Sequence, residues 1–130
     1  MKQCLDSWAA LAWLDGDEPA AAEVAKALDG LRPVMSWINL VEVHNRVSRD
    51  HGDAEADRTL AEIRSEVAEE LPGVSTMRAV ARLKAKHPIG LADCFAIAAA
   101  EANGAQLLTG DPAIIDRAED LACTVIDLRG

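Results

Sequence analysis

Apolar positions recur along the chain in two rhythms that alternate from end to end: short runs of two to four residues, and longer stretches stepping by three or four. The first short run, ending in Cys4-Leu5, predicts a strand. Asp6 or Ser7 then caps a helix that carries Trp8, Leu11, Ala12 and Leu14 and stops at Asp15-Gly16-Asp17. Glu18-Pro19 opens a second helix, with Pro19 early where its missing N–H is harmless and Val24, Ala25 and Leu28 as its stripe until Gly30. Pro33-Val34-Met35 reads as a strand. Ser36 caps the next helix, in which Trp37, Leu40, Val41, His44 and Val47 are predicted to face the core while Glu42 lies off that stripe.

The segment from Asp53 to Leu71 predicts a mostly solvated helix, with Leu60, Ile63 and Val67 as a narrow seam. Pro72-Gly73 turns the chain, Val74 begins a short strand, and Thr76 caps a helix bearing Met77, Val80, Ala81 and Leu83. Leu91 to Asn103 is almost entirely apolar, as a helix buried on most sides should be, and Asn103-Gly104 supplies its left-handed stop. Gln106-Leu107-Leu108 predicts a buried strand, Asp111-Pro112 restarts a helix through Ile114 and Ile115, and Cys123 to Ile126 gives the last strand. This alternation predicts an α/β fold: a three-layer sandwich whose short, mainly parallel sheet is covered by helices on both faces. Residues 1–130 make one domain, which is what this length accommodates. Ligands in such sheets bind beyond the carboxyl ends of strands, where Asp6 and Asp111 are expected.

A net charge of −9 excludes nonspecific nucleic-acid binding over the whole surface. The charge is uneven, however. Eight acids between Asp50 and Glu70 face only Arg58 and Arg64, whereas Leu71 to Ala92 holds no acid and carries Arg78, Arg82, Lys84 and Lys86. That segment reads either as a solvated helix face or as a phosphate-binding edge leading into Asp93. Cys4, Cys94 and Cys123, odd in number and set in apolar segments, read as buried thiols. His44, His51 and His87 have no metal-ligand spacing and are expected at the surface. No apolar run approaches a membrane span and no signal peptide is expected, so the reading is a soluble, cytoplasmic protein.

Four acids stand in suggestive contexts: Asp6 after a strand, Glu42 in an amphipathic helix, Asp93 opening the alanine-rich helix, and Asp111 in Leu107-Leu108-Thr109-Gly110-Asp111-Pro112. Each has a plain explanation. Asp6 and Asp111 are good helix caps, Asp93 sits where a helix dipole favours an anion, and Glu42 has Arg46 four residues ahead. Gathered together they repel and lose hydration, a state relieved by a divalent cation or by retained protons.

At these positions the chain resembles the PIN domain and, more narrowly, the VapC toxins of type II toxin–antitoxin systems. The matching pieces are Leu5-Asp6-Ser7, Asn39-Leu40-Val41-Glu42-Val43, Gly90-Leu91-Ala92-Asp93 with the alanine-rich run after it, and Gly104 through Pro112. The resemblance implies a Mg2+- or Mn2+-dependent ribonuclease whose metal ligands map onto Asp6, Glu42, Asp93 and Asp111, supported by Thr109 and more weakly by Ser7. It further implies a homodimer restrained by a cognate VapB-type antitoxin. Trp8 and Cys94 depart from the family's common residues; Trp8 reads as a core side chain or as one that reshapes the substrate groove. Asp116 reads as a solvated helix residue.

The implied chemistry is hydrolysis of an RNA phosphodiester by metal-activated water, leaving a 5′-phosphate and a 3′-hydroxyl. Phosphate affinity would then rest on Arg78, Arg82, Lys84 and Lys86, or on Arg46 and Arg49. Two alternatives carry different expectations. A PIN-like interaction domain would bind a partner without turnover, and a receiver-like magnesium-binding module would need an acidic pair after the first strand, where this chain has Asp6-Ser7.

Overall fold

The computed structural model describes residues 1–130. Its elements follow in the order β1 (Gln3–Leu5), α1 (Ser7–Asp15), α2 (Ala20–Asp29), β2 (Val34–Ser36), α3 (Trp37–His51), α4 (Asp53–Glu66), β3 (Ala68–Glu70), α5 (Val74–Lys86), α6 (Leu91–Ala102), β4 (Gln106–Thr109), α7 (Pro112–Ile115) and β5 (Val125–Asp127), with a 3₁₀ turn at Ala118–Asp120. The five strands form one parallel sheet in the order β3-β2-β1-β4-β5.

Successive side chains of a strand point to opposite faces, and that alternation divides the interior in two. Leu5, Met35 and Leu108 join α1, α2, α3 and α4 in one core. Cys4, Val34 and Leu107, one residue earlier in each strand, join α5, α6 and α7 in the other. Helices thus cover both faces, as the alternating pattern requires. The alanine-rich α6 packs on β1, β2 and β4 and against α3 and α5. Its buried Ala96, Ala98, Ala99 and Ala100 lack bulk, which lets the helix lie close to the sheet.

Side-chain capping explains where three of the helices begin. Asp6 accepts from the Ala9 N–H at 2.8 Å, Ser36 from the Ile38 N–H at 3.3 Å, and Asp111 from the Ala113 N–H at 3.0 Å. At its far end α1 stops at Gly16, held in the left-handed region at φ 69°.

Four expectations need correction. The charged helix does not run to Leu71: Val67 turns extended and buries itself, and Ala68-Glu69-Glu70 forms β3 beside β2. This edge strand carries acids rather than alternating apolar residues, which hid it from periodicity and suits an edge that must not recruit another chain. Val74 begins α5 directly, without a preceding strand. In α3 the buried residues are Asn39, Leu40, Val43 and Val47, whereas Trp37 and Val41 are 40% and 60% exposed. Leu40 and Val47 satisfy both helical registers, so the polar Asn39 tipped the reading to the wrong face. Finally, His87 is buried.

The displaced apolar residues are not idle. Trp37, Leu40, Val41 and His44 from α3 and Leu60 and Arg64 from α4 line a groove of about 370 Å³. The Arg64 guanidinium lies 6.0 Å from the Trp37 ring centroid and pairs with Glu69 at 2.7 Å.

The corrected face of α3 is testable. Leu40→Ala is expected to cost about 2–5 kcal/mol in urea unfolding, and Val41→Ala to stay within about 0.5 kcal/mol of wild type. Equal losses at both positions would contradict the assignment.

Candidate metal centre

Parallel pairing sets Leu5 beside Leu108, so the residues that follow these strands emerge side by side. Asp6 leaves the end of β1 with Thr109 facing it from β4. The Thr109 hydroxyl is fully buried; it donates to Asp6 Oδ2 and accepts from the Asp111 N–H at 3.0 Å. A single side chain therefore ties the first candidate carboxylate to the backbone of another. Asp6 is a cap as well as a site residue: Oδ1 holds the helix while Oδ2 faces Thr109. Asp111 does likewise, capping α7 through Oδ1.

The other two acids arrive on helices. Asp93 stands in the first turn of α6, caps nothing, and has its carboxyl pushed up by burial and by the charge of Asp111. Glu42 is exposed on α3 and is held from α1, where the Ser7 hydroxyl donates to Oε1 at 2.6 Å. The helical ion pair that offered Glu42 a plain explanation does not form, since Arg46 bonds Asp50 at 2.8 Å instead. Arg49 also leans on Asp50, at 3.7 Å.

Sequence reasoning missed Asn39. It is 1% exposed, and its amide nitrogen donates to Glu42 Oε1 at 3.4 Å and to the Ala92 carbonyl at 3.3 Å, joining α3 to the residue before Asp93. Its Oδ1 is the one buried side-chain oxygen or nitrogen without a partner. The signal was present: a polar residue one turn before Glu42, at a position that shares the Leu40-Val43-Val47 face.

Electrostatics join the four acids into one group. Burial raises the Asp6 carboxyl from 3.8 to about 7, with Asp111 and Glu42 adding to the rise while the bonds from Thr109 and Ala9 oppose it. Asp93 also rises to about 7, first through burial and then through the charges of Asp111, Asp6 and Glu42. As placed, no three carboxylates, thiols or imidazoles stand close enough together to hold a metal ion. The donors are open, and all are oxygens. That chemistry fits Mg2+ or Mn2+, hard ions that use a few carboxylates and keep water in their remaining positions.

Of the basic candidates, Arg78, Arg82, Lys84 and Lys86 lie exposed along α5. The Lys84 ammonium bonds the Ile89 carbonyl, and its charge reaches Cys94, the residue after Asp93. Asp116 stands apart, following α7 close to Arg129. All three cysteines are free and buried. No helix is long and apolar enough to cross a membrane.

The raised carboxyls fix the sign of a pH effect. Asp6 and Asp93 release protons near pH 4 in the unfolded chain but near 7 when folded. The native state holds more protons between those values, so these groups lower stability as pH rises through that window. In EDTA, the thermal midpoint is expected to be lower at pH 8 than at pH 5.5, with Asp93→Asn flattening the profile. A wild-type midpoint that rises over this range would contradict the burial of these charges.

Comparison with curated protein sequences returned no match. In fold, the chain is similar to a chain of VapBC2 from Rickettsia felis bound to a DNA fragment from its promoter, at 16% identity over 98% of both chains and a TM-score of 0.77. VapBC-1 from nontypeable Haemophilus influenzae gives 22% identity over 100% of both chains and a TM-score of 0.76. DNA-bound VapBC from Salmonella typhimurium gives 14% over 98% of both, with a TM-score of 0.76. The sequence profile of the PIN domain matches residues 4–120, nearly the whole of the α/β sandwich and all four candidate acids. By that match the chain belongs to the PIN domain family.

Proposed function

We propose that this protein is a divalent-metal-dependent ribonuclease of the VapC toxin type. The observation that supports the proposal is a set of hydrogen bonds: Thr109 ties Asp6 to the Asp111 backbone at the adjoining ends of β1 and β4, Ser7 holds Glu42, and Asn39 joins Glu42 to the residue before Asp93. Mg2+ or Mn2+, when bound, supplies Lewis acidity toward water and toward the phosphate oxygens.

The chain's own residues divide the remaining work. Asp6, Asp93 and Asp111 hold the cation, with Glu42 completing the set from the solvent side. Thr109 keeps Asp6 oriented and Ser7 keeps Glu42 turned inward. The basic edge of α5 receives the RNA backbone, where Arg78, Arg82 and Lys86 neutralise phosphates that the acidic site alone would repel. Hydrolysis of the phosphodiester at this site leaves a 5′-phosphate and a 3′-hydroxyl.

The VapBC assemblies of its structural neighbours support a VapB-type antitoxin as partner. The groove between α3 and α4 offers such a segment an apolar seat. Val74, Met77 and Leu91, each more than half exposed along α5 and α6, support a homodimer. Membership of the PIN family sets aside the receiver-like alternative. A PIN-like binding domain without turnover is the second reading, favoured by the lack of three candidate ligands close enough together to hold a metal ion.

Incubating the purified protein with single-stranded and structured RNAs in Mg2+ separates these readings. Cleavage is expected to yield 5′-phosphate ends and to vanish in EDTA, in Asp93→Asn and in Asp111→Asn. Cleavage that survives EDTA would overturn the metal mechanism, whereas Mn2+ uptake without cleavage of any RNA would favour the silent domain. In RNA binding by the Asp93→Asn protein, Arg82→Ala and Lys86→Ala are each expected to reduce the slope of log affinity against log salt by about 0.7. An unchanged slope would remove α5 from the RNA path.

A further inference from the structure

Gly110 lies between Thr109 and Asp111, and its φ is not positive; the glycines in that region are Gly16, Gly52, Gly104 and Gly130. Backbone conformation therefore does not require glycine at this position. Space does. A Cβ built on Gly110 would fall 2.2, 2.3 and 2.5 Å from Cη2, Cζ2 and Cζ3 of Trp8, well inside contact distance for three carbons of one rigid ring. The indole lies directly on the Gly110 backbone. It also packs against the core formed with α1, α2, α3 and α4, so it is backed by fixed structure.

Asp6, Ser7 and Trp8 are consecutive and reach three different parts of the site. Asp6 receives the Thr109 hydroxyl, Ser7 holds Glu42, and Trp8 covers Gly110. The turn that Trp8 presses on is the one whose Thr109 donates to Asp6 and accepts from the Asp111 N–H. Without the ring, the three nearest atoms that close the space at Gly110 are gone, and a glycine explores more backbone states than any other residue.

We infer that Trp8 is a positioning residue: its indole, fitted to the missing side chain of Gly110, fixes the Thr109-Gly110-Asp111 turn and so sets the spacing of Asp6 and Asp111 for a cation. This rests on the metal reading above and extends it to a pair of residues that touch neither metal nor RNA. A tryptophan that merely fills the core would act on stability without regard to what stands at position 110.

A double-mutant cycle read by Mn2+ titration calorimetry and by thermal unfolding tests the pairing. Trp8→Ala is expected to weaken Mn2+ binding by about tenfold, as does loss of other groups that orient metal ligands. Gly110→Ala in the wild-type background is expected to weaken it at least as much, because the ring must move. In the Trp8→Ala background the same Gly110→Ala change is expected to alter affinity by less than about twofold, a coupling of more than about 1 kcal/mol at tenfold per 1.4 kcal/mol. If Gly110→Ala alone does not fold, folding of the Trp8→Ala/Gly110→Ala protein supports the steric pairing, and failure of both overturns it. Wild-type Mn2+ affinity in Trp8→Ala, or an equal Gly110→Ala penalty in both backgrounds, also overturns it. Wild-type protein that takes up no Mn2+ would instead sink the metal reading itself.

Discussion

Parallel pairing of β1 with β4, in the register that sets Leu5 beside Leu108, decides where Asp6, Thr109 and Asp111 lie. It places two strand ends next to each other although they are separated by about four-fifths of the chain. The hydroxyl of Thr109 then closes the gap by donating to Asp6. A slip of one residue would turn Leu5 and Leu108 out of one core and Cys4 and Leu107 out of the other, so both hydrophobic layers enforce the same register. The site inherits its precision from the packing beneath it.

Against that packing stands the repulsion of the acids themselves. Asp6 and Asp93 are partly desolvated and carry like charges nearby, which is why their carboxyls hold protons to about pH 7. The fold tolerates the acids because three of the four are built into something else: Asp6 and Asp111 begin helices, and Glu42 accepts from Ser7 and Asn39. Capping supplies about 1 kcal/mol at each such start, enough to keep the acids in position but not to quench their mutual repulsion. A cation would meet that remaining strain, so assembly of the site and affinity for metal draw on one electrostatic imbalance.

Much of this could be read from the sequence because the elements that place the acids are the ones with strong local signals. Asp6 and Asp111 announce themselves as caps, and the alanine run of α6 declares burial whatever surrounds it. Reading failed where tertiary context overrode pattern. β3 has no apolar alternation and exists because β2 offers it an edge. Trp37 and Val41 fit a core stripe as well as Val43 does, and only the packing of α3 on the sheet with α1 and α4 decides between the faces. Arg46 had two acids within one turn, Glu42 and Asp50, and chose the one that Ser7 and Asn39 had not engaged. Asn39 looked like a surface residue because a polar side chain is rarely buried unless another element supplies its partner, and that partner, the Ala92 carbonyl, is far along the chain.

The alanines of α6 bear on the site as directly as its acids do. A helix that contacts β1, β2 and β4 at once must present small side chains to them, and Ala96, Ala98, Ala99 and Ala100 meet that demand. Larger residues would lift the helix away from the sheet and carry Asp93 with it, farther from Asp111. Asn39 then locks the height of that helix by bonding the Ala92 carbonyl while steadying Glu42. The distance between acids on different elements is therefore set by the thickness of the alanine layer and by one amide, rather than by the acids, whose charges would otherwise drive them apart.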